Sequence, residues 1–255
     1  MVVRTVRVML GALLISLVVS PLAAQQDEKS WSLEVAYDYS SIYLFRGIDV
    51  LADEPVHVPR VVFGWGGLSA SVWGYAGTFS DELAAGLSTD DYRELDYTLD
   101  YTFSFANDKL SLTVGGILYT YPDPPEYGDF ETTELYAILS ADVALAPTLT
   151  IYRDIDLLDS TFVTLALGHS FPLGEKASLD LSAALSYDFD YNAQLYFVDK
   201  SSGTNDLLVG VNVPWQVTDS FSLRAQVQRS VALDILDDIG QEDETIWTVG
   251  GALGF

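Results

Sequence analysis

The sequence predicts an all-β chain: a transmembrane antiparallel β-barrel of about 12 strands, preceded by a cleaved signal peptide. Three observations carry that expectation. Apolar residues recur at every second position in segment after segment, which puts one set on each face of a strand. Hydrophobic residues make up 49% of the 255 residues, yet beyond the N-terminus no apolar stretch approaches the ~18 residues that mark a membrane helix. The connections between the alternating segments switch regularly between short and long, the asymmetry of bacterial barrels.

Residues 1–24 read as the signal peptide. Arg4 and Arg7 form a basic start, Val8 to Val19 an apolar run too short to span a bilayer, and Pro21-Leu22-Ala23-Ala24 a small-residue cleavage site. Residues 25–255 then form one barrel domain. The first strand starts at Trp31, with Trp31, Leu33, Val35, Tyr37 and Tyr39 opposed by Ser32, Glu34, Ala36, Asp38 and Ser40. The next two start near Pro59 and Leu68, around the turn Gly66-Gly67. The clearest starts near Tyr92: Leu95, Tyr97, Leu99, Tyr101, Phe103 and Phe105 face one way, and Glu94, Asp96, Thr98, Asp100, Thr102 and Ser104 the other. Further strands start near Leu110, Thr132, Thr148 and Thr161. Ala177 to Phe189 repeats the strong pattern, with Asp180 and Asp188 on its polar face, and strands near Asp206, Phe221 and Thr245 complete the set.

Short connections fall at Gly66-Gly67, Ala106–Lys109, Asp142–Pro147, Pro172–Lys176 and Pro214–Ser220, rich in the residues that turns require. Long ones fall at Ser41–Val58, Gly77–Asp91, Pro122–Glu131, Ile155–Ser160, Asp190–Asn205 and Ser230–Glu244. An even strand number places both ends of the barrel on the short-turn side. The last strand ends Trp247, Val249, Gly251, Leu253, Phe255 on one face. It resembles the C-terminal insertion signal of bacterial outer-membrane barrels, and implies contact with the barrel-assembly machinery.

Composition narrows the function classes. The chain holds 37 acidic and 12 basic residues. Loss of Arg4 and Arg7 with the signal takes the formal charge from −25 to −27. Such a chain does not suit nucleic acid, whose phosphates demand Lys and Arg. With no cysteine there is no disulfide or thiol chemistry, and two histidines, His57 and His169, leave little for a histidine metal site. No cofactor or metal is expected. The acids of the long connections, such as Asp234, Asp237, Asp238, Glu242, Asp243 and Glu244, lack a spaced calcium-loop pattern. They read as a hydrophilic outer surface beside lipid and lipopolysaccharide, or as weak divalent-cation contacts.

Strand phase points Glu34, Asp38, Glu94, Asp96, Asp100, Asp180 and Asp188 into the lumen, because carboxylates facing lipid are costly. Arg60, Arg93, Arg153, Arg224 and Arg229 are their candidate partners. These acids either build ion-pair networks that fill a narrow barrel or line a cation-favouring water path. Twelve strands lie between eight, filled by side chains, and the 16 or more that leave a channel. A narrow pore, or one partly closed by an inward loop, is therefore expected. Asp190–Asn205, with Tyr191, Tyr196 and Phe197, is one candidate plug. Serine hydrolysis needs a His base within reach of the nucleophile. Neighbours His169 and Ser170 would point to opposite faces of a strand, and His57 has prolines at both second neighbours. No enzyme is expected.

Tyr39-Ser40-Ser41-Ile42-Tyr43-Leu44-Phe45-Arg46-Gly47, a proline-bearing loop, a Gly-rich hairpin and Val72-Trp73-Gly74 follow in order. This stretch of about 40 residues resembles the TorF family of porin-like proteins (the Gcw_chp proteins), through Tyr43, Phe45, Arg46, Gly47 and Trp73. Ile48-Asp49-Val50-Leu51 stands where that family has a run of Ser and Gln. The resemblance implies an outer-membrane β-barrel with a pore role. Independently, Arg46 is a lone cation among acids, suited to pinning the first loop or to gating. The expected function is a passive channel for small neutral or cationic solutes. Its alternatives are a non-conducting structural or interaction barrel, a barrel lipid hydrolase, and a soluble ligand-binding barrel. The oligomeric state is left open.

Overall fold

The computed structural model describes residues 31–80, 91–122, 131–196 and 201–255. The signal-peptide assignment, Phe197 and the middle of two long connections lie outside the described residues. The barrel strands are β1 (Trp31–Ser40), β4 (Val56–Trp65), β5 (Leu68–Thr78), β6 (Asp91–Phe105), β7 (Leu110–Thr120), β8 (Thr132–Ala141), β9 (Thr148–Asp154), β10 (Thr161–Pro172), β11 (Ser178–Phe189), β12 (Ser202–Gln216), β13 (Phe221–Ala232) and β14 (Glu244–Gly254). Each pairs antiparallel with its neighbours in sequence, and β1 pairs with both β4 and β14 to close a 12-stranded barrel. Closure leaves no unpaired edge, the condition a sheet must meet in lipid. Three small elements lie off the wall: β2 (Leu44–Phe45) with β3 (Ile48–Asp49), α1 (Asn192–Leu195) and α2 (Asp234–Ile239).

The alternation fixes which side chains meet lipid. On β6, Tyr97, Leu99, Tyr101, Phe103 and Phe105 are exposed outward, while Glu94 and Asp96 are buried inside. Trp31, Phe63, Trp65, Phe103, Phe105, Phe171, Trp215 and Phe255 mark the short-turn end of the outer surface, and Tyr37, Tyr187, Phe189 and Trp247 mark the long-loop end. These are the two aromatic girdles of a membrane barrel. In water so wide an apolar band would be an aggregation surface, which removes the soluble-barrel alternative. The chain end is bound into the wall, since the Phe255 N–H donates to the Leu33 carbonyl at 2.9 Å.

Boundaries move by up to four residues from expectation. β4 starts at Val56 rather than Pro59, and the β4–β5 ladder skips Val58 and Pro59 before resuming at Arg60 opposite Trp73. Proline has no N–H to give to a ladder, so Pro59 interrupts pairing inside the strand instead of opening it. β12 starts at Ser202, before Asp206, and its register against β11 shifts between Leu185 and Tyr187.

Candidate functional site

The first connection does not project from the barrel. It turns back inside as a short hairpin, with Tyr43, Leu44, Phe45, Ile48, Val50 and Leu51 all buried. Phe45 pairs with Ile48 across Arg46 (φ 47°) and Gly47 (φ 83°). Two positive-φ residues in a two-residue loop make a type I′ turn, whose twist suits a hairpin. Glycine is required at the second position. A Cβ on Gly47 would lie 2.4 Å from Leu236 Cδ1 of α2.

Arg46 at the tip is the latch. Its Nη2 donates to Glu134 Oε2 on β8 at 2.8 Å, and both side chains are almost fully buried. Its guanidinium lies 4.0 Å from the Tyr191 ring centroid, 4.8 Å from those of Phe45 and Phe162, and 5.0 Å from that of Tyr152. Each such cation–π contact contributes on the order of 0.5–2 kcal/mol, the upper end where water is excluded. Burial disfavours the cation, but Glu134, which also accepts from Tyr119 at 3.0 Å, holds the guanidinium firmly protonated. Asn192 and Asn205 donate through their Nδ2 groups to the Arg46 carbonyl at 3.1 and 2.8 Å. Asp188 fixes that side by accepting from the backbone N–H groups of Tyr191 (2.5 Å) and Asn192 (2.7 Å).

A second anchor lies across the lumen. Tyr43 donates to Glu94 at 2.7 Å, and Tyr92 and Tyr121 also donate to that carboxylate. Burial next to Glu94 raises the Tyr43 phenol well above its usual range, so it stays a donor. Asp96, two residues along the same face, is 1% exposed. Around these polar contacts the hairpin packs into an apolar cluster with Val56, Val58, Tyr75, Phe79, Ile117, Phe162, Tyr191 and Leu195. The outer half of the lumen is filled.

Below, Asp38 accepts from both Arg60 and Arg224, the latter through Nε at 2.7 Å and Nη2 at 2.5 Å. Glu34 joins through Arg60 Nε at 3.2 Å. A Cβ at Gly250 would fall 1.7 Å from Asp38 Oδ1, so only glycine leaves room for this buried triad. Asp100 accepts from Tyr136 at 2.9 Å. Asp180 accepts from Ser170 (2.6 Å), Ser178 (2.8 Å) and Asn212 (3.3 Å). Between the underside of the first loop and the β8–β9 turn lies a cavity of about 280 Å³, walled by β10 to β13.

All seven acids expected inside are inside, and Arg46 and Arg224 are with them. Arg153 is a correction. It points outward at the long-loop rim, on the same face as Leu149 and Ile151, and pairs with Asp159. At that rim an arginine reaches the aqueous interface, which removes the penalty used to place it indoors. Arg93 and Arg229 sit outward in the same way, beside Asp91 and Asp243. The loop that fills the barrel is chiefly the first. Of Asp190–Asn205, the described part adds α1 and Tyr191 as its support. Sequence reasoning missed Glu134, Asp154 and Asp206. Asp154 was legible, sharing phase with Thr148, Thr150 and Tyr152 against Leu149 and Ile151. Glu134 shares its phase with Tyr136 and Ile138, and that mixture hides it.

His57 is bonded to the Tyr37 hydroxyl at 2.5 Å, and His169 packs edge-on against Phe171. Neither is joined to a serine or a carboxylate among the described residues. At the long-loop mouth Asp49, Asp53 and Glu244 bring ligand oxygens within 4.8 Å of one another. Three oxygens are at most half of the six to eight that calcium takes. Asp49 is also already engaged, accepting from the Leu51 N–H at 3.2 Å and from the Asp53 N–H at 2.5 Å.

No family model matches the chain, and no curated protein matches it. Solved structures do. The KdgM porin aligns with 88% of this chain and 99% of its own at 11% identity and TM-score 0.50. The NanC porin aligns with 87% and 98% at 10% identity and TM-score 0.51. The COG4313 outer-membrane channel from Pseudomonas putida F1 aligns with 93% and 100% at 13% identity and TM-score 0.50. At such identities the likeness is one of fold: the chain has the closed antiparallel architecture of outer-membrane β-barrels.

Proposed function

We propose that the chain is an outer-membrane channel, closed in its outer half by its own first loop, that passes small neutral or cationic solutes when that loop leaves. One observation carries the reading. The hairpin is held by a few directional contacts at Arg46 and Tyr43, above a lumen that is polar and partly empty. The inner acids, Asp180 on the cavity wall and Asp100 half-buried on β6, disfavour anions. The long-loop end faces outward, toward lipopolysaccharide, and the short-turn end faces the periplasm. Residues 1–24 serve export. Trp247, Val249, Leu253 and Phe255, lined up on the lipid face of the strand that closes the barrel, serve recognition by the assembly machinery. The resemblance to the TorF family rests on Tyr43, Phe45, Arg46, Gly47 and Trp73. Four of these residues belong to the inward loop, so that motif is read here as the plug.

Conductance of the refolded mature protein in a planar bilayer tests the proposal. Replacing residues 43–50 by a short Gly-Ser linker is expected to turn a mostly closed wild type into steadily open, cation-preferring steps. A second reading, a non-conducting structural barrel, draws on the apolar cluster around the hairpin. Folded linker variant without steps would establish that reading instead.

A further inference from the structure

We propose that the cavity under the first loop is a binding site for an uncharged polyhydroxylated solute about the size of one sugar ring. The inference rests on the channel reading for its physiological role, though binding itself is measured on the closed barrel. The wall behind the cavity is organised in two rows that run across neighbouring strands. Ser182, Gly210 and Gln228 are register partners on β11, β12 and β13, and Asp180, Asn212 and Gln226 are partners two residues away. Strand spacing of about 4.8 Å and a rise of about 3.4 Å per residue give the patch roughly 10 by 7 Å.

Gln228 carries the argument. It is 5% exposed, lines the cavity, and has no hydrogen-bond partner among the described residues. Its amide opens onto the cavity rather than being sealed in the wall, so its two donors and one acceptor are available to a solute there. Gln226 and Ser182, on the same wall, also have no side-chain hydrogen bond among the described residues, and Asn212 leaves its Oδ1 unpartnered among them. Gly210 keeps the space clear, since a Cβ there would meet Ser182 Oγ at 2.8 Å and Gln228 Cγ at 3.2 Å.

The free groups are amides and a hydroxyl, which both donate and accept, as sugar hydroxyls do. Most charged groups of the lining are already engaged, with Asp142 on the exposed β8–β9 turn the exception. Arg46 is held by Glu134, Asp180 by three donors, and Asp206 by Asn205 (2.9 Å) and Ser230 (3.4 Å). An anion would meet three carboxylates, Asp142, Asp180 and Asp206, and a single cation, Arg46, whose charge Glu134 already offsets. The volume, about 280 Å³, sits at the small end of ligand pockets, which begin near ~300 Å³.

Saturation-transfer NMR on the refolded mature barrel, with glucose, glucuronate and tetramethylammonium as probes, tests the site. Saturable glucose binding, at least tenfold stronger than that of either charged probe, is expected. It should weaken at least tenfold in the Gln226→Leu, Gln228→Leu double variant, and in Gln228→Ala should the double variant fail to fold. Absence of saturable glucose binding would overturn the proposal, as would glucose binding that ignores both variants. Equal or tighter binding of a charged probe would overturn it too. Glucose binding with a silent linker variant would leave the site standing and remove the channel reading. Steady conductance without glucose binding would do the reverse.

Discussion

The two halves of the lumen share one wall of strands but solve opposite packing problems. The outer half holds Tyr43, Tyr75, Tyr92, Tyr119, Tyr121, Tyr152 and Tyr191, all buried against the inward hairpin. The inner half between β10 and β13 is lined by Thr164, Ala166, Ser182, Ala184 and Ser186, and stays partly empty. Large amphipathic rings supply apolar area together with hydroxyls that reach the buried carboxylates. Small residues, though some carry hydroxyls, are too short to fill the same span and leave a cavity. The same barrel is thus sealed where its inner face is aromatic and open where that face is small.

The contrast breaks most sharply at Arg46. Arg46→Ala leaves Glu134 buried without its cation, a loss of about 3–5 kcal/mol for such pairs. The hairpin is expected to leave its seat, so that single-channel recordings show frequent openings and protease cleaves the first loop. Unchanged closure would mean that the apolar cluster alone seats the loop. Tyr43→Phe is the next step down. It removes one donor from Glu94 while keeping the ring, for about 1–2 kcal/mol, and should lengthen openings without making them permanent. Glu94→Ala should act through the same seat. Asp100→Ala, which removes only a half-buried acid bonded to Tyr136, should reduce cation preference in the open state alone.

Acidity sharpens the comparison more gently. Burial raises the Asp49 carboxyl above its ordinary value, against the backbone N–H groups of Leu51 and Asp53 that favour the charge. A raised acid binds its proton more tightly in the folded form. The cost of its buried charge is therefore full above the folded pKa and fades as pH falls through that value. Moving from pH ~7.5 to ~5, above and near the carboxylate range, should slow proteolysis of the first loop. The smallest effect belongs to Arg153→Ala. Its pair with Asp159 is solvent-exposed and contributes under about 1 kcal/mol, so neither conductance nor the urea midpoint should move measurably.

Much of this molecule can be read from period-two alternation. It places strands to within four residues, gives the even count, sorts short turns from long loops, and puts all seven of the chosen acids indoors. It does so because lipid punishes a charge on the wrong face near the bilayer centre. Where that penalty lapses the reading lapses, as at the rim, where Arg153 faces outward at little cost. Phase also says nothing about depth, so Asp96 and Asp100 look alike in the sequence though one is sealed and the other half-open.

What the amino-acid order determined by itself is the wall: its strands, its two faces, and the closure of the last strand on the first. Each follows from local geometry and from one solvent boundary. Only the tertiary structure decided what fills the barrel. The inward turn of the first loop depends on Arg46 meeting Glu134 some 88 residues away and on Asn205 meeting the Arg46 carbonyl 159 residues away. Contacts so distant in sequence leave no periodic trace, because they are selected by the shape and charge of a lumen that exists only once all twelve strands have closed.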